Sequence, residues 1–261
     1  MSTLSDAFPA ARDRGRGALV PYITAGYPSL DATVDIAVAL AGAGADILEL
    51  GVPFSDPVAD GPVIQRASEV ALSRGATLAG CLDVAARIAE RSPIPIVLFS
   101  YYNPLLQFGL DRLAERLAIA GVAGLLVTDV VPEESAPLVS AMGPCGIDTV
   151  FLAAPTSTDN RLDRIAAVSR GFVYAVSRAG ITGARATLAD SVAPLVERLR
   201  RHTSLPVAVG FGVSSFDQVA EIWRHADGAV VGSHLVEAIG AGDSETAARR
   251  AADCLRSLIP A

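Results

Sequence analysis

The run Ile47-Leu48-Glu49-Leu50-Gly51 holds a carboxylate inside an otherwise apolar stretch. A second carboxylate, Asp60, ends the proline- and acid-rich loop that follows, Val52-Pro53-Phe54-Ser55-Asp56-Pro57-Val58-Ala59. On a strand, side chains alternate between faces, so Glu49 shares a side with Ile47 while Leu48 and Leu50 take the other. A carboxyl group buried without a partner costs several kcal/mol or keeps its proton. Glu49 is therefore either a buried carboxylate satisfied by a backbone amide or an arginine, or an acid–base group. In the second case its apolar surroundings raise its pKa until it can donate as well as accept a proton near neutrality. Asp60 precedes Gly61-Pro62 and reads as a helix N-cap with proline in the first turn or as a second functional carboxylate. Asp56 invites a similar turn reading, or a place on a partner surface.

A phosphate signal is spread over several glycines. Gly210-Phe211-Gly212-Val213-Ser214 follows an apolar run and precedes a helical one, Gly232-Ser233 follows the last apolar run, and Thr182-Gly183 lies in a long loop. Glycines that feed helix N-termini let backbone amides grip a phosphate without lysine, although any one of them may simply make a tight turn. Tyr22, Tyr101, Tyr102 and Phe211 stand at or near the ends of apolar runs, where they could stack on an aromatic substrate or fill the core. Tyr174 shares a face with Phe172 and is either core or a hydroxyl in a pocket. Asp129 could cap the helix after it, His234 is a bystander or an added positive charge beside the glycines, and Trp223 packs a helix.

One absence narrows the chemistry. The chain has no lysine, and all 21 basic residues are arginine. No side-chain amine is present for a Schiff base with a carbonyl substrate or with pyridoxal phosphate, and arginine stays protonated. The three histidines, His202, His225 and His234, lack the paired spacing of metal sites. Carbon–carbon chemistry, if this chain performs it, is expected to run without an imine or a bound metal.

These residues need a scaffold, and the chain repeats one theme to build it. Apolar runs at 18–24, 46–51, 95–100, 124–128, 148–153, 172–176, 206–210 and 228–231 alternate with helical segments. The helices are expected at 30–43, at 62–73 and 78–90, and then at 110–120, 133–142, 159–168, 188–201, 215–225 and 244–257. A short helix near 4–11 comes first, and Gly232-Ser233 opens another short one. Eight short, nearly continuous apolar strands alternating with helices predict a parallel sheet covered on its faces. The count and length predict an α/β fold, a closed (β/α)₈ TIM barrel with a short N-terminal helix and extra helices in the strand-2 and strand-8 connections. The active site is then expected at the carboxyl ends of the strands, with loops 52–61 and 177–187 as lids.

Composition sets the remaining bounds. The 261 residues, 51% hydrophobic and 19% charged, predict one domain over 1–261 with a sizeable core. A net charge of -7 argues against a general nucleic-acid binder. No apolar run approaches the ~20 residues needed to span a bilayer. The segment Met1 to Arg16 lacks an apolar signal core, and Cys81, Cys145 and Cys254 read as free thiols, so a cytoplasmic location is expected.

The stretch Leu48 to Gln65 closely resembles the signature of the tryptophan synthase alpha chain family. The resemblance extends to Pro21-Tyr22-Ile23-Thr24-Ala25-Gly26, Tyr101-Tyr102-Asn103-Pro104, Asp129 with Pro132-Glu133-Glu134, Ala154-Pro155-Thr156, Ser177 to Gly183, and Gly210 to Ser214, in the family's order. It implies a lyase that cleaves indole-3-glycerol phosphate to indole and glyceraldehyde 3-phosphate. Glu49 and Asp60 match the family's catalytic carboxylates. In the family the phosphate is held around the positions matching Gly183, Gly212, Gly232 and Ser233, and Tyr22, Tyr174, Thr182 and Phe211 are expected to complete the substrate site. It also implies a partner, a beta chain that carries pyridoxal phosphate and joins the indole to serine in an assembly of two alpha and two beta chains, with no cofactor in this chain. His234 and the segment Ala184-Arg185-Ala186-Thr187 depart from the usual pattern. Either would suit a stand-alone paralogue that releases free indole; a non-catalytic activator of a beta chain is the remaining alternative.

Overall fold

The computed structural model describes residues 3–176, 188–210 and 212–260. Helix α1 (Leu4–Asp13) leads into strand β1 (Ala18–Thr24), followed by α2 (Leu30–Gly42) and β2 (Leu48–Gly51). Two helices, α3 (Pro62–Ser73) and α4 (Leu78–Arg91), connect to β3 (Ile96–Ser100). Two more, α5 (Tyr102–Phe108) and α6 (Leu110–Ile119), connect to β4 (Gly124–Val127). Then come α7 (Ala136–Met142), β5 (Asp148–Ala153), α8 (Asp159–Val168) and β6 (Val173–Val176). The last third runs α9 (Leu188–His202), β7 (Val207–Gly210), α10 (Phe216–His225), β8 (Gly228–Val231), α11 (Ser233–Gly240) and α12 (Ala247–Arg256).

The eight strands are all parallel and pair in sequence order, and β1 closes on β8 from Ala18↔Gly228 to Pro21↔Val231. The helices start where local chemistry starts them. Ser29, Thr77, Thr158 and Ser215 each accept a backbone N–H from the first turn of the helix that follows. Strand alternation then sorts the apolar side chains into two layers. Val20, Ile47, Val97, Leu126, Val150, Ala208 and Val230 fill the barrel, whereas Leu19, Leu48, Leu50, Ile96, Leu98 and Leu125 pack outward under the helices. Helix α1 plugs the N-terminal end, where Leu4 and Phe8 join the inner layer and Phe8 meets Phe172 at 5.6 Å between ring centroids. Burying one such ring stabilises the fold by roughly 1.5–3 kcal/mol.

The structure corrects two expectations. One helix was expected between β3 and β4, at 110–120, but α5 precedes it, with Pro104 in the first turn where no N–H is needed. Asp129 does not cap the helix after it: its carboxylate accepts the amide of Tyr102 at 2.7 Å and so caps α5, across from the neighbouring strand. No described helix is long and apolar enough to cross a membrane. The three cysteines are free thiols.

Candidate active site

Glu49 occupies the middle of β2, with Tyr22 of β1 and Val97 of β3 as its register partners. Its side chain lies with the inner layer and is 1% exposed. Oε1 is fully buried and has no hydrogen-bond partner among the described residues. Neither an amide nor an arginine among them reaches this oxygen. Burial alone pushes the carboxyl up to about 8, which keeps it protonated at neutral pH and ready to give that proton away.

Asp60 is not a helix cap. Gly61 holds the N-cap position of α3 and makes no side-chain cap bond. The Asp60 carboxylate instead accepts the Tyr101 hydroxyl at 3.1 Å, and the same phenol oxygen accepts the Ala59 amide at 2.9 Å. Phe54 lies 5.0 Å from the Tyr101 ring, and Gln65 donates to the Asp60 carbonyl at 2.8 Å. Tyr101 thus pins the 52–61 loop at its ring and at its hydroxyl, a job that neither the stacking nor the core-filling reading included. Partial burial raises the Asp60 carboxyl to about 6, and the Tyr101 hydrogen bond works against that rise. Near neutrality Asp60 is charged while Glu49 is neutral.

Two phenols flank Glu49. Tyr22 and Tyr174 are both buried, and burial first, then nearby negative charge, raises both phenols above their ordinary value. The charge acting on Tyr22 comes from Asp60 and Glu49, and that on Tyr174 from Glu49. Each hydroxyl occupies a space that a glycine leaves open. A Cβ at Gly51 would collide with the Tyr22 hydroxyl, and one at Gly210 with that of Tyr174. These glycines are sockets for neighbouring side chains, a role invisible in a strand-end glycine read alone. Tyr22 also meets Phe99 edge-on at 5.3 Å, which leaves an aromatic wall beside the carboxyl.

The glycines expected to hold phosphate separate into two groups. Gly212 sits in the exposed turn after β7 with φ +72°, a conformation that favours glycine. Helix α10 behind it caps itself: Ser215 accepts the Gln218 amide and the Gln218 side chain accepts the Ser214 amide. Gly232 is the N-cap residue of α11, and no side chain caps that helix. Its carbonyl takes the amides of Leu235 and Val236, leaving those of Ser233 and His234 without an acceptor among the described residues. Tyr22 lies within ordinary contact distance of Gly232, which sets these amides beside the same mouth as Glu49. Thr182, Gly183 and Phe211 lie outside the described residues.

The arrangement offers a neutral acid in a dry interior, a charged carboxylate above it, aromatic walls, and free amides at a helix start. The sequence profile of the tryptophan synthase alpha chain family matches residues 8–258. A tryptophan synthase alpha chain from Roseiflexus castenholzii is 49% identical over 259 residues, covering 99% of each chain. Among solved structures, Mycobacterium tuberculosis tryptophan synthase superposes with a TM-score of 0.90 at 40% identity, covering 98% of this chain and 96% of that one. The tryptophan synthase a2b2 complex of Pyrococcus furiosus superposes with a TM-score of 0.87 at 38% identity, covering 93% and 98%.

Proposed function

Because the chain belongs to the tryptophan synthase alpha chain family, we propose that it cleaves indole-3-glycerol phosphate to indole and glyceraldehyde 3-phosphate and passes the indole to a beta chain. The observation that carries this reading is the Glu49 carboxyl, buried, raised to about 8, with an Oε1 that no described residue partners.

Breaking the bond between indole C3 and the glycerol chain requires an electron sink. With no lysine in the chain, the indole ring supplies it. Glu49 gives its proton to C3, which turns the ring into an indoleninium cation. The Glu49 carboxylate so formed takes the proton of the side-chain hydroxyl next to C3. As that O–H is lost the carbon–carbon bond breaks, the aldehyde forms, and the electron pair returns to the ring to restore aromatic indole. Asp60, charged above about pH 6, faces the ring N–H and stabilises the positive charge that develops there. Tyr22, Tyr174 and Phe99 wall the ring. The free amides of Ser233 and His234 receive the phosphate at the start of α11, with Gly232 giving the backbone its approach. Thr182, Gly183, Phe211 and Gly212 complete the substrate site in this reading.

The beta chain, carrying the pyridoxal phosphate that this lysine-free chain cannot anchor, would dock over the rim formed by the loops after β2, β3 and β4. Val58 is 88% exposed there, and Leu106 and Val131 are exposed apolar side chains on the next two connections, with Asp56 beside them. Apolar groups open to water at adjacent strand ends suit burial against a partner. A cytoplasmic location fits such an assembly. The test is indole release from indole-3-glycerol phosphate by the purified chain, with and without a beta chain. Release that rises strongly with the beta chain is the expected result, and no release in either case overturns the reading.

A further inference from the structure

Tyr22 and Glu49 face each other across β1 and β2, and both side chains lie in the barrel interior. Gly51 stands two residues beyond Glu49 on the same face, one step nearer the mouth, and the Tyr22 hydroxyl fills the place its side chain would take. Neighbouring positions on one strand face are about 6.5–7 Å apart, a gap that rotation of the glutamate side chain can largely close. Among the described residues the Tyr22 hydroxyl accepts from Thr24 at 3.5 Å and donates to none, so its own proton is uncommitted there. Glu49 Oε1 is equally uncommitted. A buried donor and a buried acceptor, adjacent and both unspent, form a pair waiting for one of them to change charge.

We propose that the Tyr22 hydroxyl is the donor that receives the Glu49 carboxylate once Glu49 has given up its proton, which makes Tyr22 a positioning residue for the acid–base group. The proposal rests on the reading of Glu49 given above. A neutral carboxyl tolerates the dry interior, but the carboxylate left after proton transfer requires a donor there. Among the described residues the second phenol beside Glu49, Tyr174, stands on β6 across the barrel and not on a strand paired with β2. From β6, Tyr174 sets its hydroxyl over Gly210, and from β3, Val97 and Phe99 offer no donor. Above the site, Tyr101 gives its proton to Asp60. Burial and the neighbouring carboxylates keep the Tyr22 phenol protonated, so it remains a donor throughout the working pH range.

Tyr22→Phe removes the hydroxyl and leaves the ring against Phe99. With indole-3-glycerol phosphate as substrate and a beta chain present, kcat should fall about 10- to 100-fold with KM within about twofold. The alkaline limb of the pH–rate profile should move to higher pH, because losing a donor to the charged form raises the pKa of its acid. Gly51→Ala, which displaces the hydroxyl while keeping the phenol, should show the same pair of effects in the folded fraction measured by thermal melting. Unchanged kcat in Tyr22→Phe, or a lower kcat with an unmoved limb, overturns the proposal. Normal turnover in Glu49→Gln would overturn the acid–base reading itself and this proposal with it, whereas a dead Glu49→Gln beside a normal Tyr22→Phe removes only the proposal.

Discussion

Two carboxylates three residues apart, Asp46 and Glu49, are both buried at β2, and they are treated in opposite ways. Asp46, at the N-terminal end of the barrel, accepts the Leu19 amide at 2.7 Å and bonds to Arg14 and Arg16. Arg16 is itself held by the Gly44 carbonyl and lies over the Trp223 ring. Asp227 repeats the arrangement nearby, bonding to Arg12, Arg200 and the Val207 amide. Glu49, one layer toward the mouth, has an oxygen with no partner among the described residues. One end of the barrel satisfies its buried charge and holds the strands together; the other buries a carboxyl oxygen that no described residue partners, as the proposed acid–base role requires. Stability and reactivity are divided along a single strand.

The comparison breaks first at Glu49. Glu49→Gln should lower indole production about 10²- to 10⁴-fold, the range for losing a general acid–base group, in a steady-state assay. Near-normal turnover would put the chemistry elsewhere. At the other end, Asp46→Ala strands the buried Arg16 guanidinium and should cost about 3–5 kcal/mol in urea unfolding, with turnover per folded molecule within about twofold. A variant that stayed stable but lost activity would erase the division of labour.

A subtler contrast appears in stability against pH. Between its ordinary value of 4.5 and about 8, Glu49 holds a proton in the folded chain that it has released in the unfolded one. Its contribution is fully present below that window and declines as pH rises through it. Glu49→Gln removes the decline. Relative to wild type, the variant should gain on the order of 2 kcal/mol between pH 4.5 and pH 7, read from paired urea melts. A flat difference would mean that Glu49 is not the buried acid described here. The smallest effect belongs to Tyr101→Phe. It deprives Asp60 of a donor to its charged form, so the acidic limb of kcat/KM, expected near 6, should move toward neutrality with a loss of about 10-fold or less at pH 7. An unmoved acidic limb would detach Asp60 from that titration.

The architecture was largely legible because period-two alternation and helix caps are local signals. Ile47 and Glu49 inward, Leu48 and Leu50 outward, follows from five consecutive residues, and so does the doubt about a lone carboxyl among them. What local pattern left open was settled by partners far along the chain. Asp60 reads as a helix cap until Tyr101, 41 residues on, takes its carboxylate. The helix at Tyr102–Phe108 was missed because its cap, Asp129, comes from the neighbouring strand 27 residues later. Gly51 and Gly210 read as ordinary strand-end glycines, and only the folded barrel shows a phenol in each vacant place. The phosphate expectation was spread over two helix starts and the Thr182-Gly183 loop, and local pattern did not show that at the first helix start the amides of Ser214 and Gln218 are taken by Gln218 and Ser215 side chains.

Closure of β1 on β8 sets an order in time. Ala18 pairs with Gly228, and Arg12 bonds to Asp227, so groups near one end of the chain wait for partners more than two hundred residues later. During synthesis the first strand leaves the ribosome with an open edge, which stays bare until nearly the whole barrel has been made. The contact that completes the ring is also among the most distant in sequence, the kind that slows folding most. Arg12 and Asp227 therefore act as the last latch of a structure whose first piece appeared long before.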